Sequence, residues 1–259
     1  MKPLLTAAVL CLASVGAIAQ NVPVAPSGVV DYQGRTQIVA TIDNLDLLAE
    51  GLGRIEPLDD HTGFGYRSVT VGAYYRVIPN LKLGAFYRLQ AGARHDDDWI
   101  QTGPGPDDWG WQDTTSRWEN VLMLDASTRF LLSFLPGANW VLLLKSRFLW
   151  DSFDNQMSIM ARPELTYFWI VDRVPLLNVS LSYEMYFPLN FGSTVIYESY
   201  PYLTLLWHAT PEIGVELSGA YKTTIWTQSA AELAAENTYY SVPFSRWVVS
   251  LGMVFTLTY

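Results

Sequence analysis

The chain has 259 residues, half of them apolar or aromatic, with 10 Trp, 15 Tyr and a formal net charge of −9. Its single cysteine, Cys11, lies in a leader-like N-terminus, which excludes disulfides, thiolate metal sites and a cysteine nucleophile from the rest. The acidic balance, with no phosphate-binding loop and no basic, aromatic-interleaved tract, argues against nucleic acid as a partner.

In chain order, residues 1–19 come first: one Lys, an apolar run, and small residues at Ala17 and Ala19 before Gln20. That is the pattern of a cleaved secretory signal peptide. Residues 20–34 read as a periplasmic lead-in, and residues 35–259 as one β domain. No later segment approaches the roughly 18 consecutive apolar residues of a membrane helix. Ten strands are predicted, at 35–44, 66–77, 81–94, 117–134, 140–150, 157–170, 177–187, 196–207, 213–226 and 244–259. Short turns fall at 78–80, 135–139, 172–176 and 208–212, each carrying Pro, Gly, Asn or Asp. Longer connections are expected at 45–65, 95–116, 151–156, 188–195 and 227–243.

Period-2 alternation carries the fold. On the last strand Trp247, Val249, Leu251, Met253, Phe255, Leu257 and Tyr259 share one parity, against Arg246, Ser250, Gly252, Thr256 and Thr258. Trp118, Leu122, Leu124 and Phe130 likewise oppose Arg117, Glu119, Asp125 and Arg129. Trp140 and Trp150 mark the two ends of one apolar face. Ten residues at about 3.4 Å, tilted about 40°, cover roughly 26 Å, close to the roughly 25 Å apolar band between two aromatic girdles. Trp118, Phe134, Tyr167, Trp169, Phe187, Tyr197 and Trp207 are placed in those girdles.

The terminal strand, with Phe255, Leu257 and Tyr259 closing the apolar parity, resembles the C-terminal assembly signal of bacterial outer-membrane β-barrel proteins. The likeness also extends to uncharacterised outer-membrane barrel families and carries no activity with it. It implies an all-β, antiparallel up-and-down transmembrane β-barrel of ten strands, with eight or twelve as alternatives. It also implies outer-membrane localisation, both termini in the periplasm, and recognition by the barrel assembly machinery. Outer-membrane lipid, and lipopolysaccharide or another surface ligand, are the expected partners.

Without Lys2, 25 acids face 15 bases. The longer loops are expected to form an acidic rim that includes Asp46, Glu50, Glu56, Asp98, Asp108, Asp113 and Asp151, with Arg54 as their one base. The inward parity collects Arg35, Arg76, Lys82, Arg88, Arg94, Arg117, Arg129, Lys145, Arg147, Arg162, Lys222 and Arg246. Against them stand Asp43, Glu119, Asp125, Glu164, Glu184, Glu198 and Glu216, an excess of about five positive charges. Two functions follow. Either the charges pair and large side chains fill the lumen, leaving a structural or surface-interaction role, or a narrow gap remains, biased toward anions.

Two loop stretches carry candidate chemistry. "LDDHTG" holds Asp59 and His61, and "RHDDDW" holds His95, Asp96 and Asp98. A carboxylate-oriented histidine facing a carboxylate pair can activate water. The set resembles that of the ten-stranded omptin surface proteases, which implies peptide hydrolysis at the rim. Omptin pairs face each other across the barrel mouth, however, whereas these stretches occupy adjacent loops, so hydrated acidic loops are the preferred reading. No cofactor is expected beyond weak divalent-cation binding at Asp96–Asp98 and Asp107–Asp108. No metal site of fixed geometry is predicted.

Overall fold

The computed structural model describes residues 28–56, 65–95, 98–105, 108–137, 139–153, 155–192, 195–227 and 241–259. Thirteen strands follow in order: β1 (Val29–Ile42), β2 (Leu45–Ile55), β3 (Tyr66–Ile78), β4 (Leu81–Ala91), β5 (Trp99–Gln101), β6 (Trp109–Trp111), β7 (Trp118–Leu131), β8 (Trp140–Asp151), β9 (Gln156–Val171), β10 (Val174–Pro188), β11 (Glu198–His208), β12 (Ile213–Thr227) and β13 (Ser241–Thr258). Eleven close into a barrel in the order β1-β13-β12-β11-β10-β9-β8-β7-β4-β3-β2, while β5 and β6 pair separately.

The barrel therefore has eleven strands where ten were expected. The extra strand is β2, within the stretch 45–65 read as a loop. Its outward face carries Gly51 and Gly53 and its inward face Leu48 and Leu52, which blurs the alternation. β1 starts at Val29, inside the expected lead-in. An up-and-down ring with an odd strand count cannot be antiparallel throughout. β1 accordingly runs parallel to β13, from Val29↔Arg246 to Thr41↔Thr258, and Tyr259 N–H donates to Thr41 O at 3.1 Å. β1 consequently begins at the long-loop end of the barrel, not at the short-turn end where the C-terminus lies.

Following the register once round gives a shear of about 14, which for eleven strands corresponds to a tilt of about 44°. At about 3.3 Å per residue, an eleven-residue strand such as β2 then rises about 26 Å along the axis. The outer face is a continuous apolar belt, with Leu124, Leu181 and Leu251 each about 60% exposed and Trp118, Trp169, Trp207 and Trp247 nearer the ends. A belt of this extent has no place against water and marks transmembrane-strand character. Tyr197 is not part of it. It precedes the first residue of β11, off the strand's pleat, and packs inward against Trp99 and Phe244.

Turns at the short end are tight. Val171 and Val174 pair across Asp172 and Arg173, both at positive φ (50° and 68°). Two-residue hairpins favour this conformation because its twist matches the strands, but a non-glycine side chain pays about 1–2 kcal/mol for it. Arg173→Gly is expected to raise stability by roughly 1 kcal/mol, read as a higher urea midpoint with an unchanged slope. Inside the wall, Gly72 and Gly84 make room for rings. A Cβ at Gly72 would collide with Phe86, and one at Gly84 would lie 2.6 Å from both Phe86 and Tyr74.

Candidate functional site

The inward parity stacks charged groups in tiers. At the waist, Asp125 of β7 sits opposite Arg147 of β8 in the register, and its carboxylate accepts from Arg147 Nε at 2.6 Å and Nη2 at 2.8 Å. The Tyr74 hydroxyl donates to the same group at 2.6 Å, and Lys145 Nζ lies 2.9 Å away. Arg162 bridges Glu184 at 3.3 Å and Glu164 at 3.5 Å, and donates to the Tyr202 hydroxyl at 3.1 Å. Arg35 joins Glu50 and Glu216, each at 2.8 Å. Phe86, Val121 and Met123 pack beside these groups, with Tyr74 and Leu149 against them.

A second tier lies toward the long loops. Arg246 pairs with Asp31 at 2.9 Å and Glu56 at 3.2 Å, and Glu56 also takes Arg54 at 2.9 Å and Arg94 at 2.7 Å. Burial opposes ionisation of Glu56, but Arg54, Arg246 and Arg94 together outweigh it and hold the carboxyl well below the usual carboxylate range. Lys222 pairs with Glu198, which also accepts from the Tyr200 hydroxyl.

The second tier surrounds a cavity of about 280 Å³, lined among others by Arg88, His95, Asp151, Tyr186, Lys222 and Arg246. The β5–β6 hairpin closes over it. Its Trp99 and Trp111 rings stand 4.9 Å apart, Trp111 lies 5.1 Å from the Phe244 ring of β13, and Arg94 covers Trp111 at 4.9 Å. β13 is on the far side of the ring from β4 and β7, which flank the hairpin, so the hairpin crosses the mouth. Its root is fixed by Asp98, whose carboxylate takes Arg117 at both oxygens (2.8 and 2.6 Å) and the His95 N–H at 2.7 Å.

Several expectations are corrected here. Asp46, Glu50, Glu56, Asp98 and Asp151 do not form an acidic rim. Asp46 lies at the short-turn end paired with Lys82, and the others turn inward or are buried, because β2 is a strand and the hairpin folds back. Asp108 and Asp113 are exposed, and Asp43 is an exposed turn residue rather than an inward one. With Asp31, Asp46, Glu50, Glu56, Asp98 and Asp151 turned inward or buried, Arg54 joining them and Asp43 outside, the interior's expected positive excess falls from about five to about one. Of the expected lumen charges, Glu119, Asp125, Lys145, Arg147, Arg162, Glu164, Glu184, Glu198, Glu216, Lys222 and Lys82 enter ion pairs. Arg88 instead donates to the Thr70 hydroxyl at 3.1 Å. Arg76 and Arg129 lie toward the short-turn end, with no ion pair among the described residues. Asp98, proposed for water activation, has its oxygens committed to Arg117 and His95, while Asp59, His61 and Asp96 lie outside the described residues. So do Asp97 and Asp107 of the expected cation-binding clusters. Phe255, Leu257 and Tyr259 occupy the outer parity at the end of β13.

The sequence reading missed Arg54, Asp31 and the inward acids of β2. Asp46, Glu50 and Arg54 recur every fourth residue on one parity, and that spacing was the available signal. It also missed the meeting of His95 (after β4), Glu119 (β7) and Asp151 (end of β8), whose ligand-type atoms all lie within 4.8 Å of one another.

No protein-family model matches the chain, and no curated protein matches it. Fold and site define the class by themselves: a closed β-barrel of transmembrane-strand character with an ion-paired interior.

Proposed function

We propose that this is an integral protein of the bacterial outer membrane, exported through a cleaved leader at 1–19. It would lie with its long-loop end at the cell surface and have a structural or surface-interaction role. On this reading the lumen is largely filled and does not conduct. The observation that carries it is the double closure: a waist whose carboxylates and cations are cross-paired, beneath a hairpin that reaches the opposite wall. In lipid the interior is the one polar environment open to these charges, and at the waist each of these carboxylates and cations is engaged by a partner of opposite sign. Phe255, Leu257 and Tyr259 would be read by the assembly machinery, and the belt by outer-membrane lipid. Lipopolysaccharide or another surface ligand would meet the loops.

Planar-bilayer recording on protein whose folding is verified by a heat-modifiable gel shift tests this. The expected trace is silent. Discrete anion-favouring steps, weakened by Lys145→Glu, would replace the filled lumen with the narrow-pore reading.

A further inference from the structure

His95 holds its ring between two fixed partners: Nδ1 is 3.4 Å from Gln156 Oε1, and Nε2 is 3.1 Å from Glu119 Oε1. If Nδ1–H donates to the Gln156 carbonyl oxygen, Nε2 turns its lone pair toward a carboxylate oxygen. Two acceptors at 3.1 Å repel unless a cation, a proton or a metal ion, lies between them. The third group, Asp151, lies with both within a 4.8 Å cluster, and Asp151 and His95 line the cavity, from which water can reach an open coordination position.

The surroundings suit a metal better than a lone proton. The carboxylates are already oriented. Gln90 Nε2 donates to Glu119 Oε2 at 3.0 Å and to Asp151 Oδ2 at 3.4 Å, Arg117 Nε donates to Glu119 Oε1 at 2.8 Å, and Phe153 N–H donates to Asp151 Oδ1 at 2.9 Å. Gln156 does the same for the imidazole. This is the outer-contact arrangement that sets tautomer and ring angle in histidine–carboxylate metal sites. One imidazole nitrogen with two carboxylates is a zinc-type donor set, whereas Ca²⁺ and Mg²⁺ prefer oxygen alone.

We propose that His95, Glu119 and Asp151 bind a divalent transition-metal ion of the zinc type, and that the ion clamps the root of the mouth-crossing hairpin to β7 and β8. The clamp stands whether or not the lumen conducts. Its three ligands come from three separate segments, one of them the loop that carries Asp98 and the hairpin, so metal binding and hairpin closure are coupled.

The test is calorimetric titration of chelator-treated, detergent-folded full-length protein with Zn²⁺ and separately with Ca²⁺, alongside limited proteolysis of the hairpin. One saturable Zn²⁺ site per chain is expected, with Ca²⁺ far weaker. His95→Gln keeps an amide to meet Glu119 but removes the imidazole ligand, and should abolish the site. Gln156→Ala, which only frees the ring, should weaken it about 10–100-fold. Zn²⁺ should slow hairpin cleavage in the parent and not in His95→Gln, with the heat-modifiable shift retained in all forms. Absence of saturable Zn²⁺ binding, or equal affinity in parent, His95→Gln and Gln156→Ala, would overturn the proposal and leave His95 as a hydrogen-bonding partner of Glu119.

Discussion

Asp125→Ala is expected to cost the barrel about 3–5 kcal/mol, because it leaves Lys145 and Arg147 without their shared carboxylate and deprives the Tyr74 hydroxyl of its acceptor. The Asp125 side chain is fully buried, with Phe86 and Met123 among the apolar residues at this level, so little water is at hand to replace the lost partner. Replacing the whole set in one variant, Asp125→Leu with Lys145→Met, Arg147→Met and Tyr74→Phe, should be neutral or stabilising by about 1–4 kcal/mol, since neither a charge nor the Tyr74 hydroxyl is then stranded. Urea unfolding of both variants in lipid vesicles separates the two effects. A single-site loss below about 1 kcal/mol would mean that the waist is hydrated, and would favour the conducting reading. The contrast matters for function because it asks whether the ion pairs add stability beyond what apolar packing would give or chiefly specify one arrangement of the interior.

Strands with clean alternation were legible without coordinates. β7, β8, β10 and β13 carry large apolar residues on the outward parity and their charged residues on the inward one, beside inward apolar residues such as Val121, Met123 and Leu149, and they lie within a few residues of their predicted limits. β2 was not legible because the hydrophobic contrast between its faces is weak: glycines meet lipid at Gly51 and Gly53, while Leu48 and Leu52 turn inside. Closure was hidden for a different reason. Which edge strands meet is a property of the strand count, and one missed strand reverses the direction of β1 relative to β13. No local pattern in "VVDYQGRTQIVATI" distinguishes a parallel partner from an antiparallel one.

The interior followed the same division. Parity placed Asp125, Arg147, Arg162 and Glu184 on inward faces because a strand's pleat fixes side-chain direction residue by residue. Off the strands that rule lapses, so Tyr197, expected at the lipid edge, packs inside, and Asp98, cast as part of a water-activating pair, serves as the hairpin's anchor. His95, Glu119 and Asp151 come together only because register aligns the ends of β4, β7 and β8. Their separations in sequence match no metal-binding spacing, and the grouping could not have been read from one chain.

The outer belt makes the other large prediction. Leu181 lies midway along β10, 60% exposed, with Leu165 and Leu203 as its cross-strand neighbours. In lipid, Leu181→Arg buries a guanidinium near the bilayer midplane and should cost about 2–4 kcal/mol, whereas Val174→Arg, at the short-turn end of the same strand, should cost about 0–1 kcal/mol. Reversible unfolding from phospholipid vesicles reads both on one scale. The depth dependence is the informative quantity, because a barrel whose outer face met water would lose nothing at either position and would gain solubility from each arginine. A difference of 2 kcal/mol or more would show that the belt is solvated by hydrocarbon. The ion pairs would then be inside because the charges have no other polar place to go. Equal, near-zero costs at Leu181 and Val174 would remove the membrane from the argument, and with it the reason for a polar interior.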